Sequence, residues 1–130
     1  MNSKFFWVMG TVIMFAAGPA YAGQAMQMWS CGMEDEMTEK DVEARAEEWL
    51  KAARQLDGGK NLEAMVLFPI AVNASGDTDL IFMVTAPSFA EWGRFWDVYP
   101  DSDAAAGEDG GMFCPDSVLW EASKVKVKAQ

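Results

Sequence analysis

The sequence predicts an α+β fold, one four-stranded sheet carrying two helices, and three observations point to it. Strand-like apolar runs and helical periodicity succeed each other as strand, helix, strand, strand, helix, strand. Two hydroxyl residues, Thr38 and Ser88, each stand three residues before an acid at the start of a helical pattern. Two cysteines, Cys31 and Cys114, fall at the end of the first strand and just before the fourth.

Taken in order, the chain begins with Lys4, an uncharged apolar run from Phe5 to Gly18, and Ala20-Tyr21-Ala22, with small residues where a signal peptidase reads. Residues 1–22 are therefore expected to be a cleaved secretory signal peptide and residues 23–130 one ferredoxin-like domain, periplasmic or secreted. The apolar run is shorter than the roughly 20 residues a spanning helix needs, and the polar, helix-poor stretch after Gly18 does not extend it. No membrane association is expected after cleavage.

Met26 to Cys31 reads as the first strand. Thr38 caps the first helix, with Asp41 completing a weaker form of the capping box; Val42, Ala46, Trp49, Leu50, Ala53 and Leu56 form its apolar stripe. Glu47 and Lys51 pair at i and i+4 on its outer side, and Asp57-Gly58-Gly59 supplies a left-handed stop. Leu62 to Val72 and Leu80 to Thr85 read as a hairpin joined by the turn formers Asn73 to Asp77. Ser88 to Glu91 is a full capping box opening a second helix with Trp92, Phe95, Trp96 and Tyr99 on one side, ended by Pro100. Asp101 to Pro115 reads as a loop, and Ser117 to Lys128 as a last strand whose alternate lysines at 124, 126 and 128 suit an exposed edge.

This is the ferredoxin-like βαββαβ order, an antiparallel sheet with strand order 4-1-3-2. The expectation includes the first and third strands central and parallel, with the fourth antiparallel beside the first. Cys31 and Cys114 then meet, and an oxidising compartment makes them a disulfide. The alternative is a redox or metal-binding thiol pair, although neither cysteine lies in a C-x-x-C.

Composition excludes more than motifs propose. The formal net charge is −10, and loss of Lys4 makes it more negative, so nucleic acid is an improbable partner. Histidine is absent, which removes histidine triads, histidine bases, histidine zinc sites and histidine-ligated haem. No cofactor motif and no metal-ligand spacing are read, and no catalytic residue is assigned.

The second strand alternates Leu62, Ala64, Val66, Phe68, Ile70 and Val72 with Met65, Leu67 and Ala71, so that only Glu63 brings charge to its second face. Leu80, Phe82 and Val84 likewise alternate with Ile81 and Met83. Two helices cover one side of a ferredoxin-like sheet, and an apolar second side marks an interface or a ligand cavity. With this pattern and element order, the chain resembles the dimeric α+β barrel superfamily, in which two such units pack open sheet faces together. The family includes stress-responsive barrel proteins and cofactor-free monooxygenases. The resemblance implies a homodimer. It covers Met26 to Val127 at the level of architecture and includes no signature motif. The missing histidine departs from the haem-degrading and chlorite-processing branches, which place a histidine on the iron.

The leading expectation is an exported, non-catalytic dimer that binds a small apolar or aromatic molecule or simply a second copy. Trp92, Arg94, Trp96 and Tyr99 are the ligand-contact candidates; the competing reading makes the aromatics core and Arg94 a surface residue or a partner of Asp97 or Glu91. One alternative is a cofactor-independent oxygenase or isomerase in which a desolvated Asp79 or Asp97 acts as base. Another is a Cu(I)-binding protein using Met26, Met28, Cys31, Met33 and Met37, competing with ordinary packing of these methionines and the Cys31 bridge. Asp77 and Asp79 with Ser75 and Gly76 lack EF-hand spacing and read as the hairpin turn, and the acidic Glu34 to Glu36 run as solvated surface.

Overall fold

A computed structural model describes residues 23–71, 78–106 and 111–127, so the expected signal peptide, the turn around Asn73 to Asp77 and Lys128 lie outside the described residues. The elements are β1 (Gln24–Met33), α1 (Glu39–Ala53), β2 (Glu63–Leu67), β3 (Leu80–Ala86), α2 (Phe89–Val98), α3 (Asp103–Ala106) and β4 (Met112–Ala122). The sheet order is β2-β3-β1-β4, the expected ferredoxin-like order, and every neighbouring pair is antiparallel.

That corrects the sense of the central pair. β1 and β3 are central, but they run antiparallel, with Ala25 opposite Ala86 and Cys31 opposite Leu80. The reason is topological. The α1 crossover makes β1 and β2 parallel, and β3, paired antiparallel to β2, slots between them opposed to both.

Both long helices begin at the predicted caps, but it is Thr38, read as the weaker box, that closes the full one. At Thr38 the backbone N–H and the hydroxyl donate to Asp41 Oδ2 at 2.8 and 2.6 Å, while the Asp41 N–H donates to Thr38 Oγ1, so the box is complete. These bonds, the hydroxyl first and the backbone N–H second, hold the Asp41 carboxyl below its ordinary value. At α2 the Glu91 N–H donates to Ser88 Oγ, and the Glu91 carboxylate accepts from the Ser88 hydroxyl and from Asn61 Nδ2. Lys51 and Glu47 pair at 2.6 Å on the outer side of α1, which lowers the pKa of Glu47 and raises that of Lys51.

α1 ends at Ala53, earlier than the glycines, and a series of turns follows. Arg54 fastens these turns, its Nε and Nη2 donating to the Leu62 carbonyl at 2.9 and 2.8 Å. Gly58 has φ +74°, and a side chain there would strike the backbone of α2 at Glu91 and Phe95. The left-handed glycine thus lets the turn after α1 dock on α2.

Strand boundaries differ from expectation by one or two residues at β1, at the start of β2 and at the end of β3, and by five or six at three places. β2 stops at Leu67, opposite Ile81: Pro69 has no N–H for a ladder, and β3 extends only one residue beyond Ile81, to Leu80. β4 ends at Ala122 because its partner β1 starts at Gln24, directly opposite, which leaves Lys124 and Lys126 beyond the sheet. β4 also starts earlier, at Met112, and the segment read as a loop contains α3, where Ser102 accepts the Ala105 N–H.

The disulfide forms as expected, with an S–S distance of 2.02 Å. It lies inside the ladder at an irregularity: Phe113 faces Gly32 and Asp116 faces Ser30, so Cys114 and Pro115 together oppose Cys31. The extra residue is a β-bulge, a place where a proline on an edge strand is tolerated. The bond closes a separation of 83 residues, a constraint on the unfolded chain of about 4.5 kcal/mol in the chain-entropy account.

The core lies between the helices and one sheet face. Ala25, Val84 and Ala86 meet Ala53, Leu62, Trp92, Phe95 and Tyr99, and a second cluster gathers Cys31, Val42 and Leu80. Among the described residues no charged side chain is buried.

Candidate functional site

Because side chains alternate across a strand, the register defines three rows on the sheet face away from the helices. Glu63, Thr85, Met26 and Trp120 form one; Met65, Met83, Met28 and Val118 form the next; Leu67, Ile81, Ser30 and Asp116 form the third. This face is apolar at its centre, with one carboxylate in each outer row. Met65 is 52%, Val118 50% and Trp120 56% exposed, whereas Met83, on a central strand, is 6% exposed. The apolar second face read from Met65, Leu67, Ile81 and Met83 is therefore present. Sequence reading did not place Met26, Met28, Val118 and Trp120 on it; only the register of β1 and β4 does that.

The aromatic helix candidates sit on the opposite, helix-covered side. Trp92, Phe95 and Tyr99 are buried, while Trp96 is 37% exposed. Trp92 and Trp96 rings lie 5.6 Å apart, Trp96 and Tyr99 5.1 Å, and Phe95 and Tyr99 5.0 Å. Trp49 of α1 joins them, its Nε1–H donating to the Tyr99 hydroxyl at 2.9 Å. Trp49 and Phe82 meet edge to face, as do Trp49 and Phe95, so one aromatic layer links α1, β3 and α2. Arg94 is exposed on α2, and its salt-bridge partner is Asp57 rather than Asp97 or Glu91, at 3.9 Å between Nε and Oδ1.

The carboxylates nominated as bases lie in water. Asp97 is exposed on α2. Asp79 is also exposed; its Oδ2 accepts the Met33 N–H at 2.7 Å while its own N–H donates to the Cys31 carbonyl, so it ties the start of β3 to the end of β1. The structure also divides the methionine-rich opening. Met26 and Met28 lie on the open face, Met33 and Met37 pack against the Cys31 cluster, and Cys31 is bridged. In their place, the register brings Met65 and Met83 beside Met28.

No family model matches the chain, and no curated protein matches it. Among solved structures it is similar to a hypothetical Arabidopsis thaliana protein studied in solution, at 10% identity and TM-score 0.51, over 82% of this chain and 93% of that one. It also matches a putative chlorite dismutase at 11% identity and TM-score 0.49, covering 79% of this chain and 46% of that one. A chlorite dismutase mutant from Candidatus Nitrospira defluvii matches at 11% identity and TM-score 0.43, with 81% and 42% covered. The chain thus spans less than half the length of the chlorite dismutase chains. At these identities the likeness is one of fold. With its antiparallel 4-1-3-2 sheet and its helices on one side, the chain has a ferredoxin-like α+β fold, shared with the Arabidopsis protein and without a signature motif.

Proposed function

We propose that this is an exported, non-catalytic, disulfide-closed protomer whose open sheet face packs against a second copy, and that the pair binds a small apolar or aromatic molecule. The observation that carries the reading is the open face itself. Four strands about 4.8 Å apart, rising about 3.3 Å per residue, offer a surface on the order of 500 Å² per copy. Doubled, that area stands near the lower edge of stable protein–protein interfaces. A dissociation constant in the micromolar range, weaker than that of an obligate dimer, is accordingly expected.

Trp96, half out of the aromatic layer, with Arg94 two residues away, is the ligand contact this reading favours. Binding is favoured over turnover because Asp79 and Asp97, the carboxylates nominated as bases, are exposed on the surface and not enclosed beside a ligand. The residues do not fit a haem held by histidine, because the sequence has none. A residue 23 start, an intact bridge and a periplasmic or secreted location complete the proposal.

Native mass spectrometry of the protein taken from its own envelope tests it. The expected result is a dimer beginning at Gly23, with one disulfide per chain and a small organic molecule retained. A monomer still carrying residues 1–22 contradicts it.

A further inference from the structure

The open face bears methionines in a pattern that packing alone does not require. On β2, β3 and β1 the directly opposed residues Met65, Met83 and Met28 occupy a single level, and Met26 stands two residues from Met28 on the same face. No helix-facing position of β2, β3 or β1 up to Cys31 is a methionine. Strand propensity favours β-branched and aromatic residues at such places, as the face has at Ile81, Val118 and Trp120. The unbranched thioethers are thus gathered in the middle of one side.

We infer that Met28, Met65 and Met83 form a thioether site for a soft monovalent cation, Cu(I) in chemistry, with Met26 within reach as a fourth donor. Directly opposed residues on antiparallel strands hold their Cβ atoms about 4.5–5.5 Å apart. Three rotatable bonds let each methionine bring its sulfur inward from there. Soft thioether ligands select Cu(I) over hard divalent ions. The chain has no histidine and both cysteines are bridged, so methionine thioethers are its soft donors, with Met33, Met37 and Met112 as the rival group on the other side. Among the described residues no cluster of histidine, cysteine, aspartate and glutamate forms a rival site. In the single copy Met65 is half exposed at the sheet edge and the buried Met83 lies directly beside it on β3, so the site opens to solvent before any second copy covers the face.

The site lies within one copy, so it does not rest on self-association. It draws on the thioether chemistry read from the sequence but replaces the residues: Met33 and Met37 pack on the other side, and Met65 and Met83 take part instead.

The test is titration of the purified full chain with Ag(I), which mimics Cu(I) without redox change, in chloride-free buffer, following methionine methyl signals by NMR. The expected result is one Ag(I) per chain, with the methyl signals of Met28, Met65 and Met83 moving together. Affinity should fall at least tenfold in Met28→Leu/Met65→Leu/Met83→Leu, a nearly volume-conserving set. It should stay within twofold in Met33→Leu/Met37→Leu/Met112→Leu. Met65→Leu alone, at a half-exposed position on the edge strand β2, should weaken binding at least threefold. No movement of the three signals, or equal affinity in the two triple variants, overturns the inference. Sedimentation of the metal-free protein reports self-association separately, so failure of one reading leaves the other to its own result.

Discussion

The two faces of the sheet are made by the same strands and have opposite fates. On the helix side, Ala25, Val84 and Ala86 are almost wholly enclosed beneath Trp92, Phe95 and Tyr99, and a covalent bond at Cys31 closes one end. On the other, Met65, Val118 and Trp120 keep half of their surface in water. Apolar burial on the first face stabilises the single chain; apolar exposure on the second favours association. Perturbing the helix side should therefore change stability, and perturbing the open side should change association.

The largest stability effect is expected from Cys31→Ser/Cys114→Ser. Freeing the closed loop should cost about 4.5 kcal/mol by the chain-entropy estimate, read as a lower urea midpoint against the oxidised parent. Phe95→Ala comes next. Its ring is fully buried at the centre of the aromatic layer, and its loss should cost about 3 to 5 kcal/mol in denaturant unfolding of the oxidised protein. Gly58→Ala strains a left-handed backbone and pushes the turn after α1 off α2; about 1 to 3 kcal/mol is expected, measured as a fall in melting temperature. Equal losses from open-face substitutions of similar size would break the comparison, because they would make that face part of the protomer's own core.

How much of this was legible depended on whether a feature is local. Caps at Thr38 and Ser88 and the apolar stripe of α1 are written in neighbouring residues, and the structure has them. Cys31 and Cys114 meet because element order brings β1 and β4 together. The ends of β2 and β4 were misjudged since a strand stops where its partner does, at Leu67 opposite Ile81 and at Ala122 opposite Gln24, and no local signal marks that. The antiparallel sense of β1 and β3 is likewise a property of the whole path. For the candidate site, Met65, Leu67 and Met83 were readable from alternation. Their meeting with Met28, Val118 and Trp120 required the register.

The smallest effects are expected at the exposed start of α1. Thr38→Ala removes the cap and should cost about 1 kcal/mol. Asp41 has its folded pKa depressed by Thr38. Its contribution is present above the ordinary aspartate value near 4, and it is lost as pH falls through the folded value. The acid limb of the stability curve should therefore be shallower in Thr38→Ala than in the parent, as followed by circular dichroism.

Sedimentation velocity of residues 23–130 across the micromolar range, with Val118→Asp run alongside, tests the central claim most directly. The account predicts that the parent shifts from monomer to dimer as concentration rises. It predicts that Val118→Asp stays monomeric at every concentration while keeping the parent's melting temperature to within a few degrees. A parent that remains monomeric throughout, or a variant that dimerises as the parent does, would contradict it.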